Sequence, residues 1–492
     1  MSLDSTEISH LLAAAVPQLT GPVQAVTNDS RAVAPGTAYV AIKGFTSDGA
    51  DYAQQAVDAG AVLVVAERDI AGVPTAVVPD ARIALAALAT ELAGHPSRDL
   101  TVYGITGTNG KTTSSYVLHS ILSAAYGERA TGLLTTAEIV VGTHREAAVR
   151  TTGEAPVVQG NLARMRDSGV TQVVLETSSH GIHLHRVDGT RYAAALFTNL
   201  TRDHLDLHGD MESYYRVKRT LFEWTAGPKL ANGDDEYGAR LAQDIPGTLL
   251  FGTSAQADYR IEDQHVDGLH TVFRLRRPGG AHLTLTTPLL GDYNVHNVAG
   301  AAAIALETGM DVGTLVRAIR EMRQVPGRFE RIPAAVDLGF EVIVDYAHTD
   351  VGLREVLQVA RTVADAAGGR LICVYGAAGD RDRAKRPLMG EVASQLADVG
   401  IVTTDDAYTE SPSQIAQQVL DGADSSRTTI ELDRRTAIAA ALRLARPGDV
   451  VVVAGKGHER VQHLPTGDVD FHDATVVGEL LVPLGQDAAP LT

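Results

Sequence analysis

The stretch TVYGITGTNGKTTSS, Thr101 to Ser115, constrains this chain more than any other. An apolar run that ends in a glycine-rich turn and continues into helix-forming residues predicts a strand, a loop and a helix in that order. Glycines let backbone N–H groups approach a phosphate, and the helix N-terminus that follows adds partial positive charge. Lys111 would then reach the outer phosphates of a nucleotide, and Thr112 would offer its hydroxyl to Mg²⁺. Gly107, Thr108, Asn109, Gly110 and Thr113 complete the loop. The strict pattern has four residues between its glycines and Gly104 and Gly110 have five, so GTNGKTT is a variant. A flexible surface turn is the competing reading, and the strand and helix on either side disfavour it. Kinases, GTPases, transport ATPases and ATP-dependent ligases all use such a loop, so it does not name the reaction.

Similar apolar runs recur as TQVVLET, AALFTNL, FEVIVDY, RLICVYG, DVGIVTT and DVVVVAG, with helix-like stretches between them. This alternation is the α/β signature, and strands so uniformly apolar are those of a parallel sheet covered on both faces. At 492 residues the chain is long enough for about three domains. Two polar, proline-containing breaks, at 92–100 and 323–333, are the expected joints. The formal charge of −18 disfavours a nucleic-acid partner, although a local cluster of glycines, arginines and metal ions can still hold an anionic small ligand. The single cysteine, Cys373, sits in an apolar strand pattern and reads as a buried small hydrophobe. No apolar run approaches the roughly 20 residues of a membrane helix, and the N-terminus has no basic n-region. The expected location is cytoplasmic.

Two further segments carry chemistry. VVLETSSHGIHLHRVDG ends a strand on Glu176, and a carboxylate at a strand end beside a phosphate loop can hold Mg²⁺. FTNLTRDHLDLHG supplies Asn199, Asp203, His204, Asp206 and His208. His183 and His185 read as surface or packing histidines, and no Cys/His spacing indicates zinc.

Taken together, GTNGKTT, LETSSHG, FTNLTRDHLDLHG, LLGDYNVHNVAGAAA, VPGRFE, VDYAHT, GAAGDRDRAKRPLMG and VVAGKGHE occur in an order that resembles the Mur ligase family along essentially the whole chain. Within it, the likeness is to the enzymes that add the third residue of the peptidoglycan stem peptide. The resemblance implies a UDP-substrate-binding α/β domain at 1–98, a central P-loop ATPase domain at 99–328 and a Rossmann-like amino-acid-binding domain at 329–492. It also implies the reaction: ATP phosphorylates a carboxylate of UDP-N-acetylmuramoyl-L-alanyl-D-glutamate, and an amine displaces the phosphate. Lys111 and Mg²⁺ would hold the two anions together. Thr112, Glu176 and His204 match metal-binding positions, and Lys218, on its own a solvated helix lysine, matches a carbamylated one. Asn294 and Asn297 match adenine contacts. Arg328 and Asp345 match phosphate and ribose contacts, and His348 lies in the matching DYAHT, with Asp350 where proline is common. Ser30, Arg31, Thr151, Thr152, Ser178 and Arg186 match the UDP-sugar site.

The amino acid to be added is the least settled point. Relatives that take meso-diaminopimelate carry Asp-Asn-Pro-Arg where this chain has Asp405, Asp406, Ala407 and Tyr408. With arginine absent and an acid in place of asparagine, the expected amine is L-lysine or L-ornithine, its terminal ammonium facing Asp406. Arg381, Gly455 and Glu459 match positions that hold the backbone amino and carboxylate groups. The alternatives are a diaminopimelate-adding enzyme, a folylpolyglutamate synthetase, a ligase of specialised metabolism and an inactive nucleotide-binding homologue. NDSR and GFTSDGADY argue against the folate enzyme. A monomer that closes its C-terminal domain over ATP is expected.

Overall fold

The computed structural model describes residues 2–44, 47–148, 150–267 and 270–487. Each apolar run singled out above is a strand: β5 at Thr101–Thr106, β9 at Gln172–Glu176, β10 at Ala194–Phe197, β17 at Glu341–Asp345, β18 at Leu371–Tyr375, β19 at Val399–Val402 and β21 at Val450–Ala454, numbered in chain order. Their middles are buried on both faces, as their unbroken Val, Ile, Leu and Ala content requires.

The chain forms two compact units. The first comprises residues 1–264, 272–286 and 296–321, and the second 265–271, 287–295 and 322–492. In the first, β1 (Ala25–Thr27), β2 (Thr37–Val40), β3 (Ala61–Ala66) and β4 (Thr75–Val77) form a parallel sheet in that order. Helix Ala81–Leu92 packs on it, started by Asp80, whose carboxylate accepts from the N–H groups of Arg82 and Ile83.

The larger sheet is built around β5. The parallel strands β6 (Thr131–Leu134), β9, β5, β10, β11 (Lys229–Asn232) and β12 (Thr248–Gly252) follow one another across it. An antiparallel edge of β7 (Glu138–Val141) and β8 (His144–Ala147) adjoins β6. After β5 the chain crosses to β6 and then returns to lay β9 between them, while β10 adds to the other side of β5. That reversal is a topological switch point, where a ligand cleft opens at the carboxyl ends of the strands. Register brings Ile105 opposite Glu176 and Phe197 opposite Thr106, so the residues after all three strands meet at one edge.

The second unit carries its own parallel sheet, ordered β17, β21, β18, β19 and β20 (Thr428–Ile430), with the two-residue β16 (Glu330–Arg331) antiparallel on β17. Asp345 lies opposite Ala454, and Tyr375 opposite Val402, so the carboxyl ends of four strands again share one edge. Cys373 is fully buried in β18. Among the described residues no helix is long and apolar enough to cross a membrane.

Candidate active site

The glycine loop leaves β5 and enters helix Lys111–Tyr126 through Gly110 at φ +81°, with Gly107 at +151°. Both positions exclude a side chain on two grounds. Their φ values lie where L-residues are strained, and a Cβ would fall 1.9 Å from Thr198 Oγ1 at Gly107 and 2.2 Å from Asn297 Oδ1 at Gly110. The segment after β10 braces the loop: Thr198 Oγ1 donates to the Asn109 carbonyl at 2.6 Å, and Asn109 N–H donates to Asn199 Oδ1 at 2.9 Å. Lys111 Nζ donates to the Thr108 carbonyl at 2.8 Å. Ser114 Oγ donates to Asn297 Oδ1 at 3.3 Å, which ties the loop's helix to the segment holding Asn297.

Thr112 Oγ1 donates at 3.0 Å to Glu176 Oε2, which also accepts the Thr136 N–H at 3.1 Å. Glu176 is buried, and its carboxylate together with the Thr112 hydroxyl offers the oxygen donors that a hard cation such as Mg²⁺ takes. The β5–β9 register is what joins them, since it sets the end of β9 beside the start of the loop. His204, at φ +53°, stands edge-on to His180 with ring centroids 4.6 Å apart and has Asp203 at 3.3 Å. His208 stacks on Tyr214 at 4.8 Å and meets His183 edge-on at 5.5 Å. The side chain of Asp206 lies outside the described residues.

Lys218 is not a solvated helix lysine. It is fully buried in helix Met211–Trp224 and donates to the Gly107 carbonyl at 2.7 Å. Burial, assisted by the nearby Lys111 charge, pushes its pKa well below the ordinary lysine range and favours the neutral amine.

A cavity of ≈ 1210 Å³ opens beside the carboxyl ends of β6 and β9, at Leu134, Thr135 and Leu175, and reaches the N-terminal sheet. Ser30, Arg31, Thr151, Thr152 and Arg186 line it; Ser178 is one bond away, its Oγ donating to Thr152 Oγ1 at 3.0 Å. Arg186 donates to the Thr152 carbonyl at 3.2 Å and pairs with Glu154 at 2.6 Å, while its buried Nε has no hydrogen-bond partner. Arg31 pairs with Asp29 at 2.8 Å. Tyr39, Gln55, Arg82 and Arg150 also line the cavity and were not expected there.

In the second unit, Asp345 ends β17 and accepts the N–H groups of Phe329 and Ala347 at 2.6 and 2.7 Å. Burial raises its pKa against the pull of the Arg328 charge. The Arg328 guanidinium lies over the Tyr346 ring at 4.6 Å, and His348 Nδ1 faces the Tyr346 carbonyl at 2.8 Å. Asn294 Nδ2 donates to the Leu290 carbonyl at 2.8 Å.

The ends of β19 and β21 build a compact charged cluster. Oxygens of Asp405, Asp406 and Glu459 lie within 4.8 Å of one another, with Lys456 Nζ 2.8 Å from Asp406 and 2.9 Å from Glu459. Lys456 is fully buried. Burial opposes its charge, but the three carboxylates outweigh that and hold the ammonium above its ordinary range. Asp406 Oδ1 also accepts the His463 N–H at 2.9 Å. A Cβ at Gly455, which has φ +116°, would fall 2.3 Å from Asp405 Oδ2, a buried oxygen with no hydrogen-bond partner. The expected role of Asp406 must therefore be corrected: its Oδ1 already accepts from Lys456 and from the His463 N–H, so it is not an open acid waiting for a terminal ammonium.

A P-loop at a switch point, beside a wide cavity and with a separate carboxylate–lysine cluster, defines a nucleotide-using α/β enzyme. Family models agree: residues 22–93 match the Mur ligase family catalytic domain, 105–305 the Mur ligase middle domain and 327–457 the Mur ligase glutamate ligase domain. UDP-N-acetylmuramoyl-L-alanyl-D-glutamate–2,6-diaminopimelate ligases are similar throughout. That of Clostridium botulinum is 38% identical over 93% of this chain and 95% of its own length, and that of Syntrophomonas wolfei 40% identical over 93% and 94%. A solved structure of such a ligase is 30% identical, with a TM-score of 0.68 over 99% of this chain and 100% of its own. The MurF ligase of Thermotoga maritima, solved with ADP, shares the fold at 19% identity, with a TM-score of 0.63 over 95% of this chain and 99% of its own. The chain belongs to the Mur ligase family, MurE type, and has its three-domain α/β architecture. It is an ATP-dependent, ADP-forming ligase that adds the third residue in peptidoglycan synthesis. The expectation of lysine or ornithine is corrected as well: these relatives are named for 2,6-diaminopimelate.

Proposed function

We propose that this chain joins 2,6-diaminopimelate to the D-glutamate γ-carboxylate of UDP-N-acetylmuramoyl-L-alanyl-D-glutamate, with ATP as the phosphoryl donor. The observation that carries the reading is the end-to-end likeness to ligases of that name. The domain boundaries proposed are 98/99 and 328/329.

The uridine and pyrophosphate belong in the cavity with Ser30, Arg31, Thr151, Thr152 and Arg186, and Ser178 supports them through Thr152. Lys111 swings from the Thr108 carbonyl to the outer phosphates of ATP, and Gly107 to Thr113 cradle them with N–H groups. Thr112 and Glu176 would hold one Mg²⁺, and His204 with Lys218, as its carbamate, would hold a second. When bound, such ions would supply positive charge to offset that of the phosphates and the acceptor carboxylate. The neutral Lys218 amine is the form that adds CO₂, and burial favours that form. Asn294 and Asn297 serve adenine, with Arg328 for phosphate and Asp345 for ribose. Asp405 and Glu459 receive the incoming amino group beside Gly455, and Asp406 serves by fixing Lys456.

The carboxylate attacks the γ-phosphorus and releases ADP, and the amine then displaces phosphate from the acyl carbon. Phosphate release measured with ATP, the UDP-muramoyl dipeptide and one amino acid at a time tests the reading. Diaminopimelate should give the highest kcat/KM, and a higher value with lysine or ornithine would overturn it.

A further inference from the structure

The short helix Ser179–His183, just after β9, ends on a turn that glycine usually makes. Leu184 caps the helix, and His185 follows at φ +56°. The His185 N–H donates to the Ile182 carbonyl at 3.1 Å, and the Arg186 N–H to the Gly181 carbonyl at 2.8 Å. This pair of bonds is the left-handed stop of a helix, and the first residue beyond its cap is most often glycine. A side chain there is strained, and such strain persists only where the surroundings over-determine it. The stop hands the chain directly to Arg186, which lines the wide cavity and whose buried Nε has no hydrogen-bond partner.

Asp188 holds His185 in place. Nδ1 of the imidazole lies 2.7 Å from Asp188 Oδ2, while Asp188 Oδ1 is buried with no hydrogen-bond partner. A carboxylate only accepts, so Nδ1 carries the proton. The turn that bears Asp188 is itself pinned from two helices. Its carbonyl accepts from Gln159 Nε2 at 3.3 Å, on helix Ala155–Asp167, and from Thr90 Oγ1 at 3.4 Å, on helix Ala81–Leu92. Gly189, at φ +80°, lies so close to that second helix that a Cβ would fall 2.3 Å from Thr90 Oγ1. The pairing with Asp188 raises the His185 pKa above its ordinary value although burial opposes it. At the start of helix Ala81–Leu92, the Asp80 charge also favours the imidazolium and the Arg82 charge disfavours it.

We propose that His185, as an imidazolium clamped to Asp188, is a positioning residue that fixes Arg186 for the anionic part of the UDP substrate. The inference rests on the reading above that places the UDP-sugar in this cavity. Glycine would make the same turn without strain. The imidazole adds a bond that the turn does not need, and it makes that bond depend on a proton. A guanidinium recognises a diphosphate best when its planar fork is held in line with the oxygens. His185 is not among the residues that line the cavity, so it acts through Arg186. Loss of the proton leaves a neutral bond of about half the strength. Substrate affinity should therefore be full below the raised pKa of His185 and should fall as the pH rises through it.

The test measures the Kd of UDP-N-acetylmuramoyl-L-alanyl-D-glutamate by calorimetry between pH 6 and 8.5, with a non-hydrolysable ATP analogue present. It compares the full chain with its His185→Gly, Asp188→Asn and Arg186→Gln variants. His185→Gly keeps the turn and removes the ring, and it should raise Kd roughly 10-fold at pH 6. The parent should bind roughly fivefold more weakly at pH 8.5 than at pH 6, and His185→Gly should lose that pH dependence. Asp188→Asn removes the charge beside the ring and should flatten the profile in the same way, which keeps the test open should His185→Gly not fold. A His185→Gly protein that binds as tightly as the parent, or that keeps the parent's pH profile, would overturn the proposal and leave His185 a helix stop alone. Unchanged binding by Arg186→Gln would instead refute the placement of the substrate in this cavity, and the proposal with it.

Discussion

Replacing Lys456 with methionine isolates the energetics of the carboxylate cluster. Methionine keeps the length of the stem and removes the charge. The lysine ammonium is fully buried, 2.8 Å from Asp406 and 2.9 Å from Glu459, and Asp406 is itself only 4% exposed. Removing one member of such a pair leaves a buried carboxylate uncompensated, which costs about 3–5 kcal/mol. For a unit of this size each kcal/mol moves the melting temperature by roughly 2–4 °C, so the second unit should melt on the order of 10 °C lower. Calorimetry of the full chain at pH 7.5 reads this directly. The loss should shrink as pH falls towards 5. Burial holds the Glu459 carboxyl above its ordinary range even beside Lys456, so without the lysine its folded pKa lies above its unfolded one, and the folded state takes up the proton first and gains stability as the pH drops. Adding Asp406→Asn to Lys456→Met should restore half or more of the loss. A Lys456→Met protein that melts within 2 °C of the parent at pH 7.5 would refute the claim that these charges depend on one another.

Three further outcomes follow from the geometry. Gly110→Ala forces a Cβ within 2.2 Å of Asn297 Oδ1 at φ +81° and should cut ATP-dependent turnover at least 100-fold, with circular dichroism unchanged. Lys218→Met should flatten the pH dependence of the first unit's stability: burial holds the folded amine's pKa below its unfolded one, so the parent gains stability as pH rises towards 10, and the methionine variant lacks that gain. Stripping CO₂ from parent enzyme at pH 7 should lower activity reversibly, with recovery on adding bicarbonate; activity indifferent to bicarbonate would exclude a carbamate on Lys218.

The strands were legible because parallel strands covered on both faces must be apolar throughout, as in DVVVVAG and RLICVYG. The glycine loop was legible because only glycine tolerates the φ values and close approaches at positions 107 and 110. Glu176 was legible from its place at a strand end, since strand ends in such a sheet converge. What stayed hidden depends on pairings distant in sequence. Lys218 reads as a surface residue on an amphipathic helix, and only the fold brings Gly107, 111 positions away, over it. Asp406 reads as an open acid because its partner, Lys456, lies 50 residues on, at the end of a strand two places away in the sheet. Arg82 and Gln55 gave no local signal for the cavity, since nothing in a helix sequence says which solvated face a neighbouring domain will meet.

Tracing oxygen through the reaction tests the central claim most directly. UDP-N-acetylmuramoyl-L-alanyl-D-glutamate carrying ¹⁸O in its γ-carboxylate is turned over with unlabelled ATP and diaminopimelate, and the released phosphate is weighed by mass spectrometry. Transfer of phosphate to that carboxylate, followed by its displacement by the amine, leaves one ¹⁸O atom in each phosphate released. Phosphate free of the label, formed at the same rate as the peptide, would mean that the carboxylate is never phosphorylated and would contradict the account.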